Sequence, residues 1–309
     1  MSEDRSIYKK ILIWRYKNIS DETFLYILSI IVGLLAGLGS VIIKNLTYLF
    51  SMFLKNYYID KYFSEFYFVT PAIGFLLAIL ISKYIIKKKV GHGIPTALAS
   101  LSKKEGRMDF KDMFSSVITA PITVSFGGSA GLEGPSVATG SSIGSNLSQL
   151  FHLKASSRKL LLVCGAAASL SAIFKAPIAA ILFAIEVFSL DFAFSSLLPL
   201  LLASVSAVFT RLLFLSEQYL IDLHQVDDFE IGNLGFFIIF GILTAFVSLY
   251  FTKAYIRIEE FLKTVKNDYK RTLLAGIGVG ILVFIARPLY GEGFEFMNTL
   301  IENDEEAIM

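Results

Sequence analysis

The chain alternates long apolar segments with short polar ones, a pattern that predicts membrane-spanning helices. Residues 24–54 form an apolar run that only Lys44 and Asn45 interrupt. Because this run exceeds the roughly 20 residues that a straight span needs, we expect a tilted helix. A second span is predicted over residues 66–86.

The middle of the chain is apolar but broken. After the polar stretch 102–111, several apolar pieces are too short to cross a membrane alone. The apolar pieces are residues 113–124, 136–150, 160–174 and 178–188, and a last, longer apolar run covers 190–213. We expect Pro121, Pro135 and Pro177 to divide these pieces and Pro199 to interrupt the last one. Discontinuous helices of this kind usually line a substrate path.

The last part of the chain repeats the order of elements seen in the first. Residues 24–93 read as a long helix, a polar loop, a second helix and a Gly-x-Gly motif, and residues 233–293 follow the same order. In the second copy, a long helix over 233–262 precedes a shorter span over 273–286. The copies would start on opposite sides of the membrane, which predicts an inverted-topology repeat with a substrate site near the midplane. Chance similarity is the alternative, because few positions are identical.

Glycine spacing predicts close helix contacts in both copies. Gly33 and Gly37 are four residues apart in the first long helix, a spacing that lets another helix approach closely. We expect Gly276, Gly278 and Gly280 to form a second close-packing face.

Charge separates the two sides of the membrane. Residues 1–20 are basic, and Lys83, Lys87, Lys88 and Lys89 cluster at the end of the second span. Because Lys and Arg are retained in the cytoplasm, both segments should lie there. The loop 216–231 is acidic, contains no Lys or Arg, and should lie outside. Residues 1–20 lack the apolar core and cleavage site of a signal peptide.

Composition supports the membrane class and excludes several functions. The chain is 55% hydrophobic and 17% charged, whereas a soluble domain has about 25% charged residues. Its net charge of +2 is too small to indicate a nucleic-acid partner. Cys164 is the single cysteine, and its small apolar neighbours favour packing over redox chemistry. His152 is expected in a solvated loop, and His224 lies in the acidic loop. No nucleophile–base set or metal-ligand spacing appears, so we expect no enzyme, cofactor or metal.

The candidate chemistry lies in the glycine-rich break 125–135, which reads Ser-Phe-Gly-Gly-Ser-Ala-Gly-Leu-Glu-Gly-Pro. Gly and Pro at membrane depth free backbone N–H groups, which must find a partner. A dissolved anion is a suitable partner, because a helix N-terminus supplies both donors and positive potential. Glu133, the only carboxylate of the break, would compete with that anion. A buried, protonated carboxyl with a structural role is the alternative.

Four motifs occur in a characteristic order: Gly-His-Gly-Ile-Pro at 91–95, Gly-Leu-Glu-Gly-Pro at 131–135, an Ala-rich segment ending in Ala-Pro at 165–177, and Ala-Ile-Glu at 184–186. The first should start a short helix over 96–101 at the cytoplasmic mouth. This order resembles the CLC family of chloride channels and anion/proton antiporters, from about residue 20 onward. The resemblance implies an all-α integral membrane protein with a CLC-type inverted repeat and discontinuous, re-entrant helices. It also implies a homodimer with one pore per subunit.

The resemblance assigns roles to both glycine motifs. Glu133 corresponds to the gating glutamate, whose carboxylate occupies an anion site when the pore is shut. Further anion-binding positions are the helix starts, namely His92, Gly93, Ile94, Pro95 and Gly134. The motifs are completed by Gly91, Gly131, Leu132 and Pro135.

The chain departs from the family pattern in ways that affect function. Leu132 stands where many members have Arg or Lys, which should weaken the concentration of anions at the outer approach. His92 stands where many have serine; if protonated, it would make anion affinity pH-dependent, and a neutral helix-start residue is the alternative. Glu186 corresponds to a buried glutamate, with a structural or a proton-transfer role. Val187 replaces the glutamate that receives cytosolic protons in the antiporters, which favours passive conduction.

We therefore expect transport of chloride or a similar small anion through a channel-like pore gated by Glu133. The alternatives are an anion/proton antiporter and a non-transporting membrane fragment, because the family's later Gly-x-Phe-x-Pro motif and pore tyrosine are absent from the chain. The expected organisation is a cytoplasmic segment 1–20, a first repeat 21–215, an extracytoplasmic loop 216–231 and an incomplete second repeat 232–309. The bilayer should be the inner (plasma) membrane, with the N-terminus cytoplasmic. Preference among chloride, nitrate and fluoride stays open.

Overall fold

The computed structural model describes residues 13, 15–54, 68–91, 93–189, 194–214 and 230–301, and every regular element within them is helical. The expectation of an all-helical chain is therefore confirmed for these residues. The helices are α1 (Asp21–Leu54), α2 (Thr70–Leu80, continued by a π-helical turn, Ile81–Ile86), α3 (Ile94–Lys103), α4 (Asp112–Ser125), α5 (Glu133–Leu150), α6 (Ala155–Phe174), α7 (Pro177–Phe188), α8 (Phe194–Phe214), α9 (Leu234–Thr264), α10 (Asp268–Ile285) and α11 (Phe294–Ile301).

Four of the helices match the long spans that hydropathy requires. Within the described residues, the segments that are long and apolar enough to cross a membrane are Asp21–Leu54, Ala155–Phe174, Ser196–Phe214 and Ile231–Thr264. The first begins at Asp21, three residues before the apolar run, because the Ser20 hydroxyl accepts a hydrogen bond from the Thr23 N–H at 3.1 Å and caps the helix. The predictions for the acidic loop and for most of residues 1–20 lie outside the described residues.

The core is built from α1, α5, α6 and α8, which pack against one another through small residues. A side chain at Gly140 or Gly144 would collide with the α6 backbone, and one at Gly165 would collide with the α5 backbone. A Cβ at Gly37 would lie 2.8 Å from the carbonyl oxygen of Ala207, so α8 is the predicted partner of the glycine pair in α1. Small residues thus permit the helix contacts in this part of the molecule.

The glycine face of α10 differs in one position from the prediction. Gly276 packs against Ala72 of α2, and Gly280 packs against the backbone of Phe68. Gly278 has no atom within 4 Å of where its Cβ would stand, so its inclusion in the face was wrong. Residues two positions apart in an α-helix are rotated by about 200° around its axis. Gly278 therefore points away from the face that carries Gly276 and Gly280.

Two of the four prolines do not break helices as expected. Pro135 and Pro177 stand in the first turns of α5 and α7, where a missing N–H costs little. Pro121 and Pro199 instead lie inside the continuous helices α4 and α8. A transmembrane helix tolerates an internal proline when its surroundings satisfy the freed backbone group.

Candidate functional site

The N-termini of α3 and α5 meet at two glycines. The backbone of Gly93 adopts a positive φ of 67°, which favours glycine, and α3 starts at the next residue, Ile94. A Cβ at Gly93 would lie 3.0 Å from the carbonyl of Gly134, the second residue of α5. Pro95 and Pro135 have no N–H, and the N–H groups of Thr96 and Ser136 donate to backbone carbonyls. The first-turn donors left without an acceptor in their own helix are the N–H groups of Ile94 in α3 and of Glu133 and Gly134 in α5. Such donors favour an anion.

Glu133 is the first residue of α5 and stands at this meeting point. Its side chain is half-buried and folds back towards Gly131. A Cβ at Gly131 would lie only 2.9 Å from the Glu133 carboxyl carbon, so a glycine there leaves room for the carboxyl group. The sequence motif therefore has a spatial meaning: its glycines make room for the carboxylate and for the neighbouring helix.

Leu132 is buried at the start of α5. Its side chain is buried in a cluster with Ile43 of α1 and with Ala120 and Val124 of α4. The residue anchors the start of α5 between two helices, because an apolar side chain at this position can be enclosed without a polar partner. The expectation that Leu132 lowers the charge of an outer approach does not account for this packing role.

Several buried hydroxyl groups lie on α5 and α6, in the part of the interior that follows Glu133. Ser136, Thr139 and Ser141 of α5 and Ser169 of α6 are buried, and their side-chain oxygens have no hydrogen-bond partner within the described residues. Buried hydroxyls normally have a partner. Ser136 is one helical turn after Glu133. An anion that moves past the Glu133 carboxylate would therefore next meet the Ser136 hydroxyl.

Glu133 also interacts with charged residues to which the sequence analysis assigned no role. Lys44 of α1 interacts electrostatically with Glu133, with Glu292 in the loop after α10, and with Arg211 of α8. Arg211 is buried and donates hydrogen bonds to the carbonyl oxygens of Ala172 and Ile173 at the end of α6. A lysine inside a long apolar helix is by itself a signal of function, and that signal would have found Lys44.

The second Gly-x-Gly motif lies against the glycine-rich break of the first half. The hydroxyl of Tyr290 donates a hydrogen bond to the carbonyl oxygen of Ser125 at 2.7 Å. The Tyr290 ring covers Gly127, where a Cβ would lie 2.6 Å from the ring. The motif Tyr290 to Phe294, noted in the sequence only as a repeat, therefore belongs to the site.

Ion pairs hold Lys88, which lies in the segment directly before the first glycine motif at 91–95. Lys88 forms ion pairs with Asp112 at 2.7 Å and with Asp109 at 3.3 Å. The Lys111 N–H and the Lys88 ammonium donate hydrogen bonds that hold the pKa of Asp109 below its usual range. Lys88 was predicted only as a topology signal, and it also fixes this loop to the start of α4. His92 lies outside the described residues, so its predicted role stays a prediction.

The α7 residues depart from the expected pattern. Glu186 is exposed, so the interpretation as a buried glutamate is wrong for the described structure. The cause is the helix period: Ala180, Ala184 and Phe188 form the buried face, and Glu186 lies between two of them on the opposite side. Val187 is partly buried against the core. Cys164 is free and fully buried, as packing requires, and His152 is exposed in the turn after α5, as predicted.

Comparison with known proteins places this arrangement in a family. Residues 73–309 match a family model described as voltage gated chloride channel. The chain is 28% identical to an uncharacterised protein of Methanocaldococcus jannaschii over 87% of its own length and 65% of that protein's. It is also 28% identical to the H(+)/Cl(−) exchange transporter ClcA of Vibrio cholerae, over 88% of this chain and 61% of the relative. The chain thus spans less than two thirds of the length of these relatives.

Solved structures show the same fold. A slow cyanobacterial Cl−/H+ antiporter superposes with a TM-score of 0.73 and 22% identity over 90% of this chain and 67% of that one. A CLC-type fluoride/proton antiporter gives a TM-score of 0.73 and 23% identity over 86% of this chain and 66% of that one. The predicted fold class, a multi-pass helical membrane protein with CLC-type discontinuous helices, is confirmed. The matched model covers most of the sequence, and the chain belongs to the voltage-gated chloride channel (CLC) family.

Proposed function

We propose that this protein carries chloride or a similar small anion across a membrane, along a path that Glu133 opens and closes. The observation that carries the proposal is the contact of Gly93 and Gly134 at two helix N-termini, with Glu133 at the same point. The carboxylate is the negative group that this end of α5 holds when no dissolved anion is present. When it is protonated or moves away, an anion can take its place at the N–H donors.

We infer exchange of anions for protons rather than passive conduction. Two relatives reported above are named as proton-coupled chloride proteins, and a third is a fluoride/proton antiporter. Val187 cannot carry a proton, which was the basis for the channel-like expectation. Exposed Glu186, one residue earlier, can exchange a proton with water if this end of α7 faces the cytoplasm. A carboxyl at Glu133 that alternates between its two protonation states would complete the transfer.

Flux measurements on the purified protein in liposomes test both parts. Wild-type protein should move chloride and protons in opposite directions, with a reversal potential that follows both gradients. Glu133→Gln cannot ionise and therefore mimics the open, protonated state. It should give an anion leak that loses proton coupling and no longer responds to pH. Glu260→Gln on exposed α9 is the matched control and should behave as wild type.

The outcomes separate the alternatives. No flux in wild-type liposomes contradicts the transport proposal and favours the non-transporting alternative. A reversal potential set by chloride alone favours the channel-like pore. An unchanged pH response in Glu133→Gln contradicts the gating role and favours a structural carboxyl.

The setting of the transporter is part of the proposal. We place a first repeat at 21–215, the acidic loop 216–231 outside, the start of a second repeat at 232–309, and the N-terminus in the cytoplasm of an inner-membrane protein. A homodimer is proposed through the exposed apolar start of α7 at Ile178, two helical turns before Glu186. A cysteine introduced at this position should cross-link two copies in membranes.

A further inference from the structure

We propose that Lys44 and Glu292 form a fixed charge pair beside the gate, and that Lys44 supplies the positive charge that an anion meets next to Glu133. This inference rests on the anion transport proposed above and adds a specificity-determining residue to it. Three features carry it: the place of Lys44 on α1, the place of Glu292 in its loop, and the charge count of the cluster.

The packing of α1 puts Lys44 beside the start of α5. Its neighbour Ile43 is fully buried and shares a cluster with Leu132, the residue directly before Glu133. Gly39, one turn earlier, lies against Thr139 of α5 with a Cβ distance of 3.2 Å. The outer half of α1 therefore follows α5 towards its N-terminus. Lys44 is half-buried at this level and can act on Glu133 without interfering with the apolar contact that anchors it.

The loop after α10 brings Glu292 to the same place. Tyr290 is bound to the carbonyl of Ser125, which fixes the loop two residues before Glu292. Two residues after it, the ring of Phe294 has the Lys44 ammonium 5.8 Å from its centroid. That distance is within cation–π range. Glu292 is thus held between two residues, one bound to the glycine-rich break and the other facing Lys44.

Glu292 has an unused acceptor. Its Oε1 atom is buried and has no hydrogen-bond partner within the described residues. A buried carboxylate oxygen without a hydrogen bond is costly unless a cation lies near enough to offset its charge. Lys44 interacts electrostatically with both Glu292 and Glu133, so it is the cation that can offset this charge.

The charges of the cluster balance when the gate is closed. When all four groups are ionised, Lys44 and Arg211 contribute two positive charges, and Glu133 and Glu292 contribute two negative ones. Arg211 is bound to the carbonyls at the end of α6, and Glu292 is fixed by its loop, so both stay in place. When Glu133 loses its charge or swings away, one positive charge is uncompensated, and a monovalent anion restores neutrality.

This balance changes the interpretation of Leu132. The family pattern has a cation directly before the gating glutamate, and here that position is buried and apolar. Lys44 reaches the gate from a neighbouring helix instead. An anion would therefore still meet a positive charge, but from the side of α1 rather than from the gate's own segment.

Chloride uptake at a series of external concentrations tests the pair in liposomes. Lys44→Met should raise the half-saturating chloride concentration about tenfold or more, because one unit charge is lost close to the anion at low effective dielectric. Lys44→Arg keeps the charge and should stay within about threefold of wild type. Glu292→Gln should lower the half-saturating concentration. The double variant Lys44→Met with Glu292→Gln restores the charge count and should return towards wild type.

The recovery in the double variant shows that the two charges are coupled. Thermal melting of the same variants must stay close to wild type for the change in half-saturating concentration to be assigned to the anion, because a buried carboxylate that loses its cation also destabilises the fold. The proposal is overturned if Lys44→Met binds and carries chloride as wild type does, if Lys44→Arg is as impaired as Lys44→Met, or if the double variant is no better than Lys44→Met. Chloride titration calorimetry on detergent-solubilised protein applies the same comparison when wild-type liposomes show no flux. Absent wild-type flux contradicts transport alone, whereas equal chloride binding in wild type and Lys44→Met contradicts the charge pair.

Discussion

Helices α6 and α9 are both long and apolar, yet only α6 is buried. Most side chains of α6 are inaccessible, whereas no residue of α9 is buried and Phe236 remains 75% exposed. The difference follows side-chain size. Where α6 meets α5 it carries Gly, Ala and Ser, and α9 is rich in Phe, Ile and Leu. In a membrane, large apolar residues are as well satisfied by lipid as by protein, so close backbone contact between small residues decides which helices interlock.

Glycine substitutions should give the largest difference in stability between variants of α6 and variants of α9. Gly165→Val in α6 would drive its side chain into the backbone of Gly140 and should cost more than about 3 kcal/mol, because neither backbone can move aside. Gly241→Val in α9 meets nothing within 4 Å and should change little. Size-exclusion profiles and thermal melting of the two purified variants measure the contrast. Equal behaviour would show that the α5–α6 contact is not the determinant of stability.

Replacement of the buried arginine of α6, Arg158, should have the second largest effect on stability. Arg158 is 6% exposed and donates a hydrogen bond to the carbonyl oxygen of Glu105 at 2.8 Å. Arg158→Met leaves that carbonyl without its charged donor and should lower the free energy of unfolding by about 1.5–3 kcal/mol. Arg257→Met on exposed α9 is the matched control and should lower it by less than about 0.5 kcal/mol. Equal shifts in melting temperature for Arg158→Met and Arg257→Met would contradict this prediction.

The ion pairs of Lys88 should give the smallest effect and a dependence on pH. The lowered pKa of Asp109 means that its contribution to stability is present above the unfolded value near about pH 4 and is lost as pH falls through the folded value. Because the Asp109 side chain is 54% exposed, screening should keep this below about 1 kcal/mol.

Acid titration of melting temperature checks this dependence. Asp109→Asn should flatten the curve at low pH, and Lys263→Met, which removes an exposed pair with Glu259 on α9, should leave it unchanged. A curve for Asp109→Asn that still falls like wild type below about pH 4 would assign the acid response to other carboxylates.

The candidate carboxylate Glu133 could be identified from the sequence because the chemistry of its segment is local. Gly, Glu, Gly and Pro at 131–135 specify a helix start with free donors and one carboxylate, whatever surrounds them. The helix α5 indeed begins at Glu133. The partners of the gate could not be read, because Lys44 and Glu292 are 89 and 159 residues away from Glu133 in the chain. Only the contact of α1 and of the loop after α10 with the glycine-rich break brings them there.

Single residues show the same division. The period of α7 was available in the sequence, yet which face is buried depended on α6 and α8, and the exposure of Glu186 followed from that choice. Leu132 was interpreted through the charge it lacks, whereas the structure uses it as an apolar anchor. In both cases the sequence specifies the side chain and the neighbouring helices specify its environment.

The sequence by itself determined that this chain is a helical membrane protein, that its middle part is divided at Pro135 and Pro177, and which carboxylate stands at a helix start. Hydropathy and backbone chemistry are properties of short segments, so they need no neighbours to be expressed. The tertiary structure decided which helices interlock, that Tyr290 joins the second glycine motif to the glycine-rich break, and that Lys44 and Glu292 from distant segments interact electrostatically with Glu133. These outcomes depend on side-chain volume and on charge interactions across the fold, which exist only once the helices have packed.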